Sequence, residues 1–277
     1  MGKEKIGYLG QEGTFSWQAA QIVAGKKEKD IIPFSSFWEG MQLLVERELN
    51  KIILPIENST GGGIGKVISL LREMPEDLRI EREVKLLIEQ YLLGLEGSEA
   101  SDIKEVFSMG EVFAQCQELL NKRKFSCLAV ESTVKAAQLV VKKNDKRTAV
   151  IGAKWLSKFF PELEVITKIN DNSSNTTRFI LMGREDIVIT GNDKTSIIFG
   201  VHDKVGTLVE ALEVLREADI NITMIMSMPT GEKLGDYDFF IDIEGHKKEK
   251  EIKNALATMR KKTTFLRVLG SYPSYYY

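Results

Sequence analysis

"DNSSNTTRFILMG", Asp171 to Gly183, places seven polar residues in a row directly ahead of an arginine and an apolar run. The run reads as a buried strand, because it is short, apolar and closed by a glycine. Segments of strand and helix character alternate before it. If this strand returns to the first of two α/β lobes, Asn175 to Arg178 lie where the lobes face each other. Ligands of open α/β sheets bind at strand ends and between lobes.

Working outward, "KIGYLG" reads as a strand and Phe15, Ala19, Ile22 and Val23 as the apolar stripe of a helix. Ser36 and Glu39 form an S-x-x-E capping box ahead of Phe37, Met41 and Leu44. "KIILPI" is a buried strand, and Ile64, Val67, Ile68 and Leu71 make another helical stripe. This is the βαβ wiring of a parallel sheet. A second cycle begins near "VKLLIEQYLLGL" and continues through "EVFSM", "SCLAV" and "TAVIG" with helices between. The expected division is lobe 1 over about 1–80 plus 168–186 and lobe 2 over about 81–167.

"GREDIVITGND" is polar and turn-forming, and is taken as a linker. After it, residues 194–277 read strand, helix, strand, strand, helix, strand, with Leu208, Ala211, Leu212 and Leu215 on one helix face. That βαββαβ order is ferredoxin-like. The fold class expected is therefore α/β, with a two-lobed part over 1–186 followed by a small βαββαβ domain.

Composition excludes several functions. The 38 basic and 40 acidic residues nearly cancel, and no basic run has the density of a nucleic-acid face. The apolar runs are far short of the ~20 residues that span a bilayer. Two cysteines, Cys116 and Cys127, and no apolar export segment predict a cytoplasmic protein with reduced thiols. Both histidines, His202 and His246, fall in the last third. The first part therefore cannot use a Ser-His or Cys-His pair or an imidazole base.

Three polar clusters remain as candidates: "GQEGTFS" at Gly10 to Ser16, "PIENSTGGG" at Pro55 to Gly63, and "NTTRF" at Asn175 to Phe179. Glycines after a strand let the backbone approach a ligand, and N–H groups opening a helix favour an anion. Thr14, Ser59 and Thr60 offer hydroxyls, and Arg178 a bidentate clamp for a carboxylate. The plainer reading makes Thr14 or Ser16 a helix cap, has Glu57 and Asn58 satisfy turn amides, and treats Gly61 to Gly63 as a loop. "GGGIG" lacks both dinucleotide and Walker spacing, so no nucleotide is expected.

The three clusters in this order, with "FAQC" at Phe113 to Cys116, "EST" at Glu131 to Thr133, "GTLVEAL", "INIT" and "VLGSYPS", resemble the prephenate dehydratases over nearly the whole chain. The resemblance implies a two-lobed, periplasmic-binding-protein-like catalytic part and an ACT regulatory domain. It implies conversion of prephenate to phenylpyruvate with loss of water and carbon dioxide, without metal or organic cofactor, by a homodimer or homotetramer. In the family the threonine before R-F is the proposed acid, which maps onto Thr177, with Arg178 cradling a carboxylate. Thr14, Asn58, Ser59, Thr60, Gly62, Ser132, Thr133, Asn175, Thr176 and Phe179 match the substrate pocket, and Glu57 and Gln115 residues that orient it. The regulatory positions map onto Gly206, Thr207, Leu208, Val209, Asn221, Met226, Ser227, Met228 and Pro229. L-phenylalanine is the implied effector.

The chain departs from the family pattern in three places, one of them at Gly206-Thr207-Leu208, where G-A-L is more usual. Ser108, Met109 and Gly110 stand where S-H-P is usual, and Met226, Ser227, Met228 and Pro229 where E-S-R-P is usual. Methionine at these positions reads either as adaptable packing or as loss of polar effector contacts, which predicts weak inhibition by phenylalanine. The chain opens on its first strand, so the fused chorismate mutase segment of some relatives is not expected. Two other functions fit the pattern: a prephenate decarboxylase that leaves the ring non-aromatic, and a catalytically silent amino-acid-binding protein.

Overall fold

Runs of apolar residues too short for helices form the strands, and amphipathic stripes between them form the helices. The computed structural model describes residues 3–25, 29–231 and 236–274. The parts of the sequence reading that fall on 1–2, 232–235 and 275–277 lie outside the described residues. By its contacts the chain divides into two compact units. One holds the residues through Leu9, Val23–Lys85 and Arg178 onward, and the other Gly10–Ile22 and Leu86–Thr177.

Strands β1 (Lys5–Leu9), β2 (Asp30–Phe34), β3 (Lys51–Asn58), β4 (Gly62–Gly63), β5 (Arg79–Leu87) and β11 (Thr176–Gly183) share one sheet, in the order β2-β1-β3-β11-β5 with β4 paired to β3. The pairs β1 with β2 and β1 with β3 are parallel, as the βαβ reading requires. Helices α1 (Phe15–Ala24), α2 (Phe37–Val45) and α3 (Gly65–Glu73) alternate with these strands. The capping box forms, with Ser36 Oγ accepting the Glu39 N–H at 3.2 Å. The returning carboxylate instead takes the Ser35 N–H, at 2.7 Å.

The second unit builds its own sheet from β6 (Tyr91–Leu95), β7 (Glu105–Ser108), β8 (Ser126–Ala129), β9 (Thr148–Gly152) and β10 (Leu163–Lys168), in the order β10-β6-β9-β7-β8. Helices α4 (Gly110–Ala114), α5 (Gln117–Arg123), α6 (Thr133–Lys143) and α7 (Leu156–Phe159) complete it. Strands β7, β8 and β9 are parallel, but β6 runs antiparallel to both β9 and β10. The sheet is therefore mixed, a common outcome in α/β folds. Thr148 to Gly152 are buried at every position, as a strand covered on both faces must be.

The C-terminal segment forms the antiparallel sheet β13-β14-β12-β15 from β12 (Asp193–Gly200), β13 (Ile222–Pro229), β14 (Tyr237–Glu244) and β15 (Phe265–Pro273), with helices α8 (Thr207–Glu217) and α9 (Lys250–Met259). The βαββαβ order expected from the sequence is present. One sheet face packs under the helices, with Ile197, Phe199, Leu215, Ile241 and Leu256 buried. The other face is not left open. Ile198, Met224, Met228, Phe240, Leu269 and Tyr272 share one core with Ile52, Leu54, Ile68, Leu71, Ile80 and Ile180. Burying each large apolar side chain contributes about 1.5–3 kcal/mol, so this face is a main stabilising contact of the first unit. Gly270 makes the approach possible, because a Cβ there would lie 2.2 Å from the Ile80 carbonyl oxygen. Among the described residues no helix is long and apolar enough to cross a membrane.

Candidate active site

In the first unit, β3 ends in the turn that carries Asn58, Ser59 and Thr60. Asn58 Oδ1 accepts from the Thr60 N–H and the Gly61 N–H, both at 3.0 Å, and from the Thr60 hydroxyl at 2.6 Å. This is an Asx turn, which pins the loop by local hydrogen bonds. Gly62 takes φ +74°, a conformation open to glycine, and pairs back to Asn58 across β4. Gly63 is held by close contact, since a Cβ there would lie 2.6 Å from Met226 Sδ and 2.9 Å from Met224 Cε. Strand β13 thus props the turn that holds three of the expected substrate residues.

Arg178 leaves β11 into a buried charge cluster. Its Nη1 donates to Asp242 Oδ2 at 2.5 Å and its Nη2 to the Tyr272 hydroxyl at 2.8 Å. Nε lies 2.7 Å from Glu83 Oε2 as an ion-pair contact, and Glu57 Oε2 lies 3.4 Å from Nη1. Ser196 Oγ donates to Asp242 at 2.5 Å and lies 2.6 Å from the Tyr272 hydroxyl, while Lys194 Nζ donates to Glu83 at 3.1 Å. Burial works against the guanidinium charge, but Tyr272, Asp242 and Glu83 outweigh it and hold its pKa well above the ordinary value. Burial likewise raises Glu83, yet Arg178, Lys194 and Lys85 bring it below the usual carboxylate range. The Tyr272 phenol is pushed up, by burial first and then by the charge of Asp242. This placement differs from the clamp expected for Arg178. The guanidinium is already compensated by two buried carboxylates, and exchanging them for a substrate would strand charge in the core.

In the second unit, Thr14 caps α1. Its hydroxyl donates to Gln11 O at 2.9 Å and accepts the Trp17 N–H at 3.2 Å. Ser132 caps α6 in the same way, accepting the Lys135 N–H at 3.0 Å, and Thr133 is the first helical residue. The plainer reading of Thr14 as a cap is thus what its geometry displays. Asn175 is buried, and its carbonyl accepts the Ile88 N–H at 2.7 Å. Thr176 donates to Ser174 O at 3.0 Å, Thr177 is half-buried, and Phe179, the second residue beyond it on β11, is buried. Gln115 Oε1 accepts from Gln90 Nε2 at 3.1 Å. Cys116 is no nucleophile, because burial and the nearby Asp171 charge push its thiol up to about 12. Ser108 donates to Ile151 O at 2.7 Å, and Met109 packs against the core beside it. Packing therefore accounts for Met109 where the family usually has histidine.

The regulatory positions separate into two groups. Gly206, at φ +89°, opens α8, and Thr207 donates to His202 O at 2.6 Å. Together with Leu208 and Val209 they line a cavity of about 560 Å³, with His202, Asp203, Tyr237 and Asp238. Arg72 at the end of α3 also lines it and pairs with Asp238. Met226, Ser227, Met228 and Pro229 do not line this cavity. Met228 is buried in the first unit's core and Met226 packs against it. Of the two readings of these methionines, adaptable packing is the one their surroundings fit, with Met228 buried and Met226 packed against the same core. Asn221 lies beside Ile220 and Ile222, in a second surface depression that Val209 also lines.

Sequence reading missed Glu83, Asp242, Tyr272, Ser196 and Arg72. A signal existed in "FFIDIEG", where an aspartate interrupts a strand whose neighbours are all apolar. A charge at such a position needs a buried partner.

Residues 6–187 match the family model for prephenate dehydratase, and residues 195–260 match that for the ACT domain. The chain is 34% identical over 274 residues to a bifunctional chorismate mutase/prephenate dehydratase of Aquifex aeolicus, covering 98% of this chain and 74% of that protein. It is 35% identical over 224 residues to a prephenate dehydratase of Methanocaldococcus jannaschii, covering 80% of each. A crystal structure of prephenate dehydratase from Arthrobacter aurescens in complex with L-Phe superposes with a TM-score of 0.88 at 31% identity, covering 98% of this chain and 90% of that one. The chain belongs to the prephenate dehydratase family and ends in an ACT domain.

Proposed function

We propose that the chain converts prephenate to phenylpyruvate, in the route to phenylalanine. The carrying observation is the family match over residues 6–187, which contains every candidate catalytic residue. Prephenate holds two carboxylates and an allylic hydroxyl. Breaking the bond from ring carbon to carboxylate sends its electron pair into the ring and expels the hydroxyl from the opposite carbon as the ring becomes aromatic. The departing oxygen takes one proton and leaves as water. One prephenate dianion and one proton thus give phenylpyruvate, carbon dioxide and water. The work asked of the protein is positioning, electrostatic stabilisation and delivery of that proton.

In this reading Thr177 donates the proton. Asn58, Ser59, Thr60 and the amides of the glycine turn hold substrate oxygens, with Thr14, Ser132, Thr133, Asn175 and Thr176 contributing further polar contacts. Residues 1–186 are the catalytic part and 194–277 the regulatory domain of a cytoplasmic homodimer or homotetramer. L-phenylalanine is the effector. It occupies the cavity at Gly206, where the backbone of the turn meets one charged group and Arg72 meets the carboxylate. The cavity falls within the ordinary size range for small-molecule sites.

The test is incubation of the purified chain with prephenate at neutral pH, followed by absorbance in alkali, where phenylpyruvate forms its enolate. A non-aromatic product, or none, overturns the reading. Thr177→Val keeps the side-chain shape and removes the donor. Turnover should fall by roughly 10²–10⁴-fold with substrate binding little changed.

A further inference from the structure

The ACT sheet contributes side chains that reach the strand bearing Thr177. Arg178, the next residue, is 5% exposed, and Asp242 is fully buried, as is Tyr272 on β15. Glu83 on β5 and Ser196 on β12 are fully buried as well. The guanidinium is planar, so bonds from Nη1 to Asp242 and from Nη2 to Tyr272 fix its orientation as well as its position. The Tyr272 hydroxyl and the Asp242 carboxylate are themselves joined through Ser196 Oγ. Arg178, Lys194 and Lys85 together balance Glu83, Asp242 and the more exposed Glu57, so the cluster is neutral as it stands.

Successive side chains of a strand point to opposite faces. An arginine anchored on one face of β11 therefore dictates the face and height at which residue 177 emerges on the other. Buried ion pairs are poor sources of stability compared with apolar packing, whereas they are directional. A group that must sit within a fraction of an ångström of a departing oxygen gains from such an anchor, because a misplacement of about 1 Å can cost 10²-fold in rate. We propose that Asp242 and Tyr272 of the ACT sheet are positioning residues for the reaction, holding Arg178 so that the Thr177 hydroxyl meets the leaving oxygen. The inference rests on the reading of Thr177 as the acid.

The experiment is a double-mutant cycle on the full chain, measuring kcat and KM for prephenate in wild type, Tyr272→Phe, Thr177→Val and the double variant. Tyr272→Phe keeps the ring in the core and deletes only the hydroxyl. It should lower kcat about tenfold with KM changed less than about twofold, and lower it no further in the Thr177→Val background. Ser196→Ala, which removes the other partner of the Tyr272 hydroxyl, should follow the same pattern with a smaller loss. It serves in place of Tyr272→Phe should that variant not fold. An unchanged kcat, a loss expressed in KM, or an equal loss in both backgrounds overturns the positioning role alone. Wild-type turnover by Thr177→Val overturns the assignment of the acid, and the positioning role with it.

Discussion

Two arginines reach from the α/β layers of the first unit to the same strand of the ACT sheet, and they meet two aspartates four residues apart on one face of β14. Arg178 pairs with Asp242 and Arg72 with Asp238. The chemistry is the same and the surroundings differ. The Arg178 side chain is 6% exposed and shares its aspartate with Tyr272 and Ser196, whereas that of Arg72 is 28% exposed and borders an open cavity. Burial makes the first pair compulsory, since losing either partner leaves a charge without water. In the second pair only the arginine meets the cavity, so a ligand can reach its guanidinium, whereas Asp238 is 5% exposed and depends on that pair for its charge. One arginine is enclosed as a strut, and the other keeps a face open to the cavity.

The largest effect expected from this contrast is on stability. Asp242→Ala should lower the unfolding free energy of the full chain by about 3–5 kcal/mol, as breaking a buried pair does. Arg72→Gln leaves the buried Asp238 carboxylate without its cation but open to the cavity side, and should lower it by less, about 1–3 kcal/mol. Denaturant unfolding of the two variants side by side measures both. Losses of equal size would show that the two pairs are equivalent and that burial does not separate them.

A middle-sized effect sharpens the comparison from the apolar side of the same sheet. Gly63→Ala puts a methyl group 2.6 Å from Met226 Sδ. Its neighbours are the ends of flexible thioether side chains, so the cost should fall near the low end of over-packing, about 1 kcal/mol. KM for prephenate should also rise as the Asn58 to Thr60 turn is displaced. Met226→Ala in the same background should restore both in part, because Met224 Cε still lies 2.9 Å from the added methyl. If the double variant were as impaired as Gly63→Ala alone, Met226 would not be what seats the turn.

The elements and the order of both α/β halves were legible because apolar runs and helical stripes carry their period in the sequence. The βαββαβ segment was legible for the same reason. The mixed pairing of β6 was not, since strand direction depends on where the chain returns and leaves no local trace. The candidate site divides similarly. Turn residues such as Asn58 and Gly62 announce themselves by type, because only certain side chains suit those backbones. The setting of Arg178 was hidden because its partners Glu83, Asp242 and Tyr272 are distant in sequence and meet only when the ACT sheet closes on β5 and β11. The choice between packing and lost effector contacts at Met226 and Met228 stayed open for a related reason. Their burial depends on the sheet's second face being covered by the catalytic layers, which a domain read in isolation leaves open.

The smallest structural perturbation should have the clearest regulatory consequence. In the free chain the Arg72 guanidinium is held by Asp238, so a ligand carboxylate entering the cavity competes with that aspartate for the same donors. Charge-assisted hydrogen bonds of this kind contribute roughly 1.5–3 kcal/mol. Arg72→Gln should therefore weaken L-phenylalanine binding about ten- to a hundredfold while leaving kcat without effector near the wild-type value. Asp238→Asn should act in the opposite direction, because it removes the competitor and keeps the donor available, and binding should tighten. Calorimetric titration of the full-length variants with L-phenylalanine, paired with inhibition curves at fixed prephenate, gives both signs in one set of measurements. Unchanged affinity in Arg72→Gln would place the effector carboxylate elsewhere and leave Arg72 as a surface tie between α3 and β14. Opposite shifts in the two variants would establish that the exposed member of the arginine pair is the one the effector engages. Helix α3, which begins at Gly65 directly after the glycine turn, would then be the element through which its engagement reaches Asn58, Ser59 and Thr60.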